Sequence, residues 1–161
     1  MRIGVVSDTH DQLGNVAKIV ALLNAARVER VVHTGDITQP KTLRALAALD
    51  APLVGVFGNN DRERSALEAA CAELGMRFVD PPLRVTWHGR RIGVVHDPRE
   101  LDALELGALD VALYGHDHRH ALERRAGALC FNPGECAGHV PGLNRVGVLD
   151  LETLEAETLR F

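Results

Sequence analysis

Short apolar runs recur along the chain, and segments with helical spacing or tight turns separate them. The first half contains three such runs, which are IGVVS at 3–7, RVVHT at 30–34 and LVGVF at 53–57. Segments rich in alanine and leucine with helical spacing follow them, at 13–27, 41–49 and 63–74. Continuous apolar strands that alternate with helices are typical of a sheet covered on both faces. This half is therefore predicted to fold as β-α-β-α-β-α.

The second half is richer in strands. RVTW at 84–87 and RIGVVH at 91–96 flank a turn of His88, Gly89 and Arg90, which predicts a hairpin. A short helix is expected over 99–106. Five more strand-like runs follow, which are VALYG at 111–115, HALERR at 120–125, ALCFN at 128–132, RVGVLDL at 145–151 and TLEAETL at 153–159.

These elements predict an α/β fold in which a two-sheet β-sandwich is flanked by helices, in αββα order. A purely doubly wound α/β fold is the alternative, but the strand-rich second half counts against it. No linker rich in proline, glycine or serine divides the chain. Residues 1–161 are therefore expected to form one domain, long enough to bury a sizeable core.

Composition and charge exclude several classes of protein. A formal net charge of −4 argues against broad binding to nucleic acid. No window approaches ~18 consecutive apolar residues, and the first ten residues lack the layout of a signal peptide, so no membrane association is expected. The three cysteines are an odd number without paired spacing, which favours reduced thiols in the cytoplasm. The sequence leaves open whether the chain forms homo-oligomers.

Five of the predicted strands end in polar side chains. These clusters are Ser7-Asp8-Thr9-His10, Gly35-Asp36, Gly58-Asn59-Asn60-Asp61, His96-Asp97 and Gly115-His116-Asp117-His118. In open α/β sheets, ligands bind outside the carboxyl ends of the strands. Aspartate, histidine and asparagine together suit borderline divalent metals such as Mn, Fe, Co, Ni or Zn. The donors outnumber those of one tetrahedral ion, which predicts two ions.

The spacing of the donors adds a local expectation. Asp8 and His10 lie two residues apart, as do His116 and His118. Residues with this spacing on extended backbone point to the same side, so each pair is expected to reach one region. A glycine precedes three of the proposed donors, which lets the backbone turn off the strand and approach closely.

The ordered motifs D-x-H, G-D, G-N-x-D, H and G-H-x-H resemble the calcineurin-like metallophosphoesterases, and most of all their small YfcE-like phosphodiesterase branch. The likeness covers nearly the whole chain, including N-P-G-E at 132–135. It implies a first metal held by Asp8, His10, Asp36 and His118. It implies a second held by Asp36, Asn59, His96 and His116, so that Asp36 bridges the two ions.

The resemblance also implies an activity. A hydroxide shared by two divalent ions would attack a small phosphodiester substrate. Manganese is the expected metal, with Ni, Co, Fe, Zn or Mg as alternatives. The expected catalytic residues are Asn60 and His10, the latter also a ligand. Many relatives carry a histidine where this chain has Asn60, which donates hydrogen bonds but supplies no proton.

Other interpretations remain open at this point. Each donor taken alone also fits a turn, a helix cap or a sheet edge, and Asn60 or Asp61 is expected to cap the next helix. His139 could reach the site, and Arg62 and Arg99 could hold a phosphate, although solvated arginines are the simpler interpretation. A non-catalytic metal-binding scaffold of the same fold, as in the small subunit of retromer, and a phosphomonoesterase are the alternative functions. Asp97 follows His96 where relatives often have glycine.

Overall fold

The computed structural model describes every residue from Met1 to Phe161 and consists of two sheets with flanking helices. The three α-helices are α1 (Leu13–Ala25), α2 (Pro40–Leu46) and α3 (Arg64–Leu74). The strands are β1 (Arg2–Val6), β2 (Arg30–His33), β3 (Leu53–Val56), β4 (Arg77–Val79), β5 (Leu83–Trp87), β6 (Arg90–Val94), β7 (Val111–Leu113), β8 (Ala121–Arg125), β9 (Ala128–Asn132), β10 (Arg145–Asp150) and β11 (Glu155–Arg160). No helix combines the length and the apolar character needed to cross a membrane.

The two sheets place several strand ends at one edge of the molecule. The first sheet has the order β11-β10-β1-β2-β3-β4, in which β1 to β4 run parallel. The second has the order β5-β6-β7-β9-β8, in which β6, β7 and β9 run parallel. The carboxyl ends of parallel strands meet at the same sheet edge, so the loops after β1, β2, β3, β6 and β7 can share one site.

Three buried layers hold this arrangement together. The core between the sheets contains Ile3 and Val5 from the first sheet and Ile92 and Phe131 from the second. Val6 points to the opposite face, where it packs in the core beneath the α-helices. This alternation follows from the period of two along a strand. The outer face of the second sheet packs against the segment 98–108. The layer order confirms the predicted two-sheet sandwich with helical flanks.

Two elements differ from the sequence-based expectation. Strand β4 was not predicted, because its three residues are too short to show a pattern, yet it pairs in parallel with β3. The helix expected over 99–106 is instead a pair of 3-10 helices, Pro98–Leu104 and Leu106–Ala108. Glu105 separates them with a φ of 55°, a left-handed conformation that an α-helix does not accommodate. The hairpin around His88 and Gly89 is confirmed, since Trp87 pairs with Arg90.

Candidate metal centre

Backbone contacts bring the loops after β1 and β2 together. The amide of Asp8 donates to the carbonyl of Gly35, and the amide of His10 donates to that of Asp36, both over 3.1 Å. The second sheet joins them through the Asp8 carboxylate, which accepts the amide of His116 over 3.1 Å. A loop from each sheet therefore fixes the position of the same buried carboxylate.

Five of the seven predicted ligand residues have left-handed backbone conformations. The φ values are 52° at Asp8, 40° at His10, 60° at Asp36, 74° at His116 and 58° at His118. Such values are uncommon outside glycine and cluster at functional sites. The expected extended backbone at these pairs is therefore wrong. His116 and His118 do not reach the same region, because the turn between them sends the two rings toward different partners.

Two glycines allow this tight packing. Gly35 has a φ of 112°, which L-residues rarely adopt. Gly115 has an ordinary φ, but a Cβ there would overlap the hydroxyl of Ser7 and lie 2.8 Å from the carboxylate of Asp8. The strand ends of the two sheets approach each other closely only because Gly115 has no side chain.

A first group of donor atoms surrounds one point between the sheets. The imidazole Nε2 of His10 lies 3.4 Å from Oδ2 of Asp36 and 3.9 Å from Oδ1 of Asp8. The Nε2 atom of His118 lies 3.5 Å from the same Asp8 oxygen. Two atoms bound to one ion at about 2.1 Å lie at most about 4.2 Å apart, so these measured separations fit a common ion.

A second group lies beside the first. The Nε2 atom of His96 is 3.5 Å from Oδ2 of Asp36 and 2.9 Å from Oδ1 of Asn59. The Nδ1 atom of His116 is 3.0 Å from the Asn59 oxygen and 3.2 Å from His96 Nε2. Both groups therefore contain the same oxygen of Asp36, and the structure brings all seven predicted ligand side chains together.

The donor atoms themselves fit a cation. Asp8 Oδ1 and His10 Nε2 are buried and have no hydrogen-bond partner. Leaving a buried polar atom unpaired costs about 1–3 kcal/mol, and a bound ion would remove that cost. Asp8, His10 and Asp36 form one cluster with the spacing of metal ligands, and His10, His118 and His139 form another.

Neighbouring groups orient two of the histidines. His118 donates through Nδ1 to Oε2 of the buried Glu135 over 2.9 Å, and His96 donates through Nδ1 to the carbonyl of Thr34 over 2.9 Å. Because Nδ1 carries the proton in both rings, the Nε2 atom of His118 faces the first donor group and that of His96 faces the second. Such outer partners fix the tautomer of a metal-binding histidine. Glu135 is not among the site residues expected from the sequence, although it lies in the N-P-G-E segment that follows β9.

The charges at the site are strongly coupled. Burial raises the pKa of Asp36, but hydrogen bonds from His96 and Asn60 outweigh it and hold that pKa well below its usual range. Burial lowers the pKa of His96, but the hydrogen bond and charge of Asp36 raise it to about 9. Burial raises the pKa of Asp8 and lowers that of His10. In the metal-free protein, Asp36 is therefore an anion paired with a protonated His96.

Asn60 and Asp61 serve the loops and do not cap the helix. The Asn60 amide group donates to Oδ2 of Asp36 over 2.8 Å, and its backbone amide donates to Oδ1 over 2.9 Å. Asp61 accepts the backbone amides of Gly58, Asp36 and Thr38. The expectation that one of them caps α3 is wrong, because the N-cap is Glu63 and no side chain caps that helix. Both side chains instead contact backbone or side-chain groups of other loop residues, so neither is available to cap α3.

The remaining histidines lie as follows. His33 is buried in β2, where its Nδ1 accepts the amide of Gly35, and burial lowers its pKa to about 3. His88 occupies the exposed hairpin turn, and His120 precedes β8. The ring of His139 lies 5.0 Å from that of His118 and 5.5 Å from that of His10. His139 thus lies beside the candidate metal centre on its exposed side, while His33 lies beneath it, where its Nε2 atom is 3.2 Å from the hydroxyl of Thr9.

A cleft of about 400 Å³ opens beside the second donor group. Asn59, His96 and His116 line one side of it, and Phe57, Arg64 and Arg99 are among its other lining residues. Arg99 pairs with Asp97, and Arg64 lies over the ring of Phe57, 3.8 Å from its centroid. Of the two arginines proposed from the sequence, Arg99 lines this cleft and the exposed Arg62 does not.

Known proteins resemble this chain over its whole length. The model of the calcineurin-like phosphoesterase superfamily domain matches residues 1–154. A phosphodiesterase of Methanocaldococcus jannaschii is 33% identical over 159 residues, which cover 96% of each chain. These matches confirm the family resemblance inferred from the motifs.

Solved structures agree. One, described as a novel archaeal phosphodiesterase, superimposes with a TM-score of 0.91 at 32% identity and covers 100% of both chains. YfcE, a phosphoesterase from E. coli, has a TM-score of 0.74 at 21% identity, with 99% of this chain and 98% of YfcE covered, and shows the shared fold. The strand-end motifs occur in order and converge on one edge, and the family model and relatives match nearly the whole chain. The chain therefore belongs to the calcineurin-like phosphoesterase superfamily.

Proposed function

We propose that this phosphoesterase is a phosphodiesterase that works with two divalent ions. The first ion would be held by Asp8, His10, Asp36 and His118, and the second by Asp36, Asn59, His96 and His116. The observation that carries this proposal is the shared oxygen, since Oδ2 of Asp36 lies 3.4 Å from His10 Nε2 and 3.5 Å from His96 Nε2. One carboxylate oxygen thus belongs to both donor groups.

The donor chemistry supports borderline divalent metals. The carboxylate and amide oxygens suit Mn, which is the metal we propose, and the histidine nitrogens also fit the alternatives Ni, Co, Fe and Zn, with Mg as a further one. Two such ions would supply a hydroxide nucleophile at neutral pH and neutralise charge on the phosphoryl group. Asp8 and Asp36 offset only two of the four positive charges, so the loaded site would attract a phosphate although the chain is acidic.

The roles of the surrounding residues follow from their contacts. Asn60 holds both oxygens of Asp36 by its two amide groups, which fixes the shared carboxylate between the donor groups. Glu135 holds the ring of His118 so that Nε2 faces Asp8. We assign His10 and Asn60 to the catalytic machinery, because His10 lies between the two buried carboxylates and Asn60 orients one of them.

A diester is the substrate class best supported. The cleft beside His116 has room for an ester substituent that a monoester lacks, and the M. jannaschii relative is itself a phosphodiesterase. A phosphomonoesterase remains the second candidate, because the same metal centre suits both. A non-catalytic scaffold is disfavoured, since none of the seven donor side chains is missing.

The proposal extends to the whole chain. The matched region runs from residue 1 to residue 154, which supports a single domain over 1–161. All three cysteines are buried free thiols, which suits a reducing compartment such as the cytoplasm.

Turnover of a panel of phosphodiesters and phosphomonoesters tests the proposal. The protein is stripped with a chelator and then reloaded with Mn, Ni, Co, Zn or Mg. We expect the stripped protein to be inactive and the reloaded protein to prefer diesters. A reloaded protein that holds two ions but cleaves no ester would support the scaffold, and a preference for monoesters would support the second candidate.

A further inference from the structure

His139 lies on the loop that follows β9, on the solvent side of the first donor group. Its ring is 5.0 Å from the ring of His118, at an interplanar angle of 30°, and 5.5 Å from that of His10. The three imidazoles form one cluster, in which His139 alone is exposed. His139 is therefore the imidazole of this cluster most open to a ligand from solvent.

Buried side chains hold the backbone of this loop in place by hydrogen bonds. The buried carboxylate of Glu135 accepts the amide of Val140 over 2.9 Å and that of His139 over 3.4 Å, while it also accepts Nδ1 of His118. The amide group of Asn15 on α1 donates to the carbonyl of Cys136 over 2.7 Å. One carboxylate thus sets both the ring of His118 and the position of His139, so their spacing is built into the fold.

An imidazole at this place can either bind the first ion or donate a hydrogen bond to a substrate. The number of protein donors around that ion decides between these two roles. The first group already has four protein donors without His139. A six-coordinate ion such as Mn would then keep two positions, which a nucleophile and a substrate oxygen require. A fifth protein ligand would occupy one of them. An exposed N–H beside the ion suits a hydrogen bond to an anionic oxygen instead.

We propose that His139 is a substrate-binding residue that donates a hydrogen bond to a phosphoryl oxygen at the first donor group, and that Glu135 positions it. The inference rests on the proposed function, because it needs the same metal-loaded site. The ligand class is a phosphoryl group, and inorganic phosphate or orthovanadate carries the relevant oxygens.

The test uses the full chain loaded with Mn. Phosphate affinity is measured by calorimetry and metal content by elemental analysis, for the native protein and for His139→Ala, His139→Gln and the matched control His88→Ala in the exposed hairpin turn. We expect His139→Ala to weaken phosphate binding about tenfold with metal content unchanged, as for loss of a hydrogen bond to a charged group. His139→Gln keeps a donor and should recover part of the loss, and His88→Ala should match the native protein.

Three results would overturn the inference. Native phosphate affinity in His139→Ala would show that the ring does not touch the anion. Loss of an ion in His139→Ala would make the residue a metal ligand. A native protein that holds fewer than two ions would refute the proposed function itself, and with it the role of His139, and this result is distinguished by metal content before any phosphate is added.

Discussion

Asn60 contacts both oxygens of Asp36, through its amide side chain at 2.8 Å and its backbone amide at 2.9 Å. Only the side-chain contact depends on residue identity, because every residue except proline supplies a backbone N–H. The side chain of Asn60 is therefore an orienting partner of the carboxylate that both donor groups share.

Asn60→His should flatten the dependence of rate on the leaving group. Asn60 supplies no proton, so we expect aryl diesters to be cleaved readily and unactivated alkyl diesters slowly by the native protein. A general acid contributes ~100- to 10,000-fold, mostly on poor leaving groups. The measurement is log kcat against leaving-group pKa for both proteins. An unchanged slope with both metals bound would show that this position does not reach the leaving oxygen.

Asp36→Asn should weaken both ions together. The substitution removes the negative charge that both donor groups share, so Mn content should fall from two per chain to below one under conditions that saturate the native protein. Elemental analysis after dialysis measures it. Asp50→Asn, on the exposed surface, is the control. Loss of one ion with full retention of the other would refute the bridging role.

Glu135→Gln should lower the affinity for one ion only. The side chain keeps an acceptor for His118 but loses its charge, and outer partners of this kind contribute about 10- to 100-fold to metal affinity. Titration of the stripped protein with Mn should then resolve one weakened step and one native step. Two native steps would show that the Glu135 contact does not tune the first group.

Metal affinity should rise with pH up to about 9. In the metal-free protein the pKa of His96 is raised to about 9, because Asp36 outweighs burial. An ion needs the neutral imidazole, so proton and metal compete below that pH and binding releases a proton. For one proton the affinity gains at most about tenfold per pH unit. Calorimetry in buffers of different ionisation enthalpy counts the protons, and no release at pH 7 would contradict the prediction.

Gly115→Ala should destabilise the protein even without metal. Its Cβ would overlap the Ser7 hydroxyl and crowd Thr34 and Asp8. Overpacking of this kind costs about 1–3 kcal/mol, which denaturant unfolding of the stripped protein measures. Gly107→Ala is the matched control, because no atom lies within 4 Å of its added Cβ. Equal stability of the two variants would show that the loops after β1 and β7 can move apart at little cost in the free energy of unfolding.

The sequence predicts this site better than its surroundings, and the reason is physical. Asp8, Asp36 and His96 lie two or three residues beyond the ends of β1, β2 and β6, so a rule about strand ends places them together. Glu135 reaches His118, and Asp61 reaches the amide of Asp36, only after distant loops pack together. A local pattern therefore predicts that Asp61 caps a helix, while the tertiary contact decides its actual partner. The three-residue β4 is not predicted for a similar reason, because its pairing with the distant β3 stabilises it and its own sequence shows no pattern.

At five of the candidate ligand positions, the left-handed backbone sets the stability of the fold against the proposed function. A non-glycine residue held in this conformation costs on the order of 1–3 kcal/mol, and Asp8, His10, Asp36, His116 and His118 all adopt it. Glycine would relieve that cost at each position but would remove a donor atom. The substitutions that would stabilise the metal-free chain at these positions are therefore the ones that would dismantle the proposed metal centre. Selection for heat resistance alone would erode the proposed centre, whereas selection for the proposed reaction would preserve it.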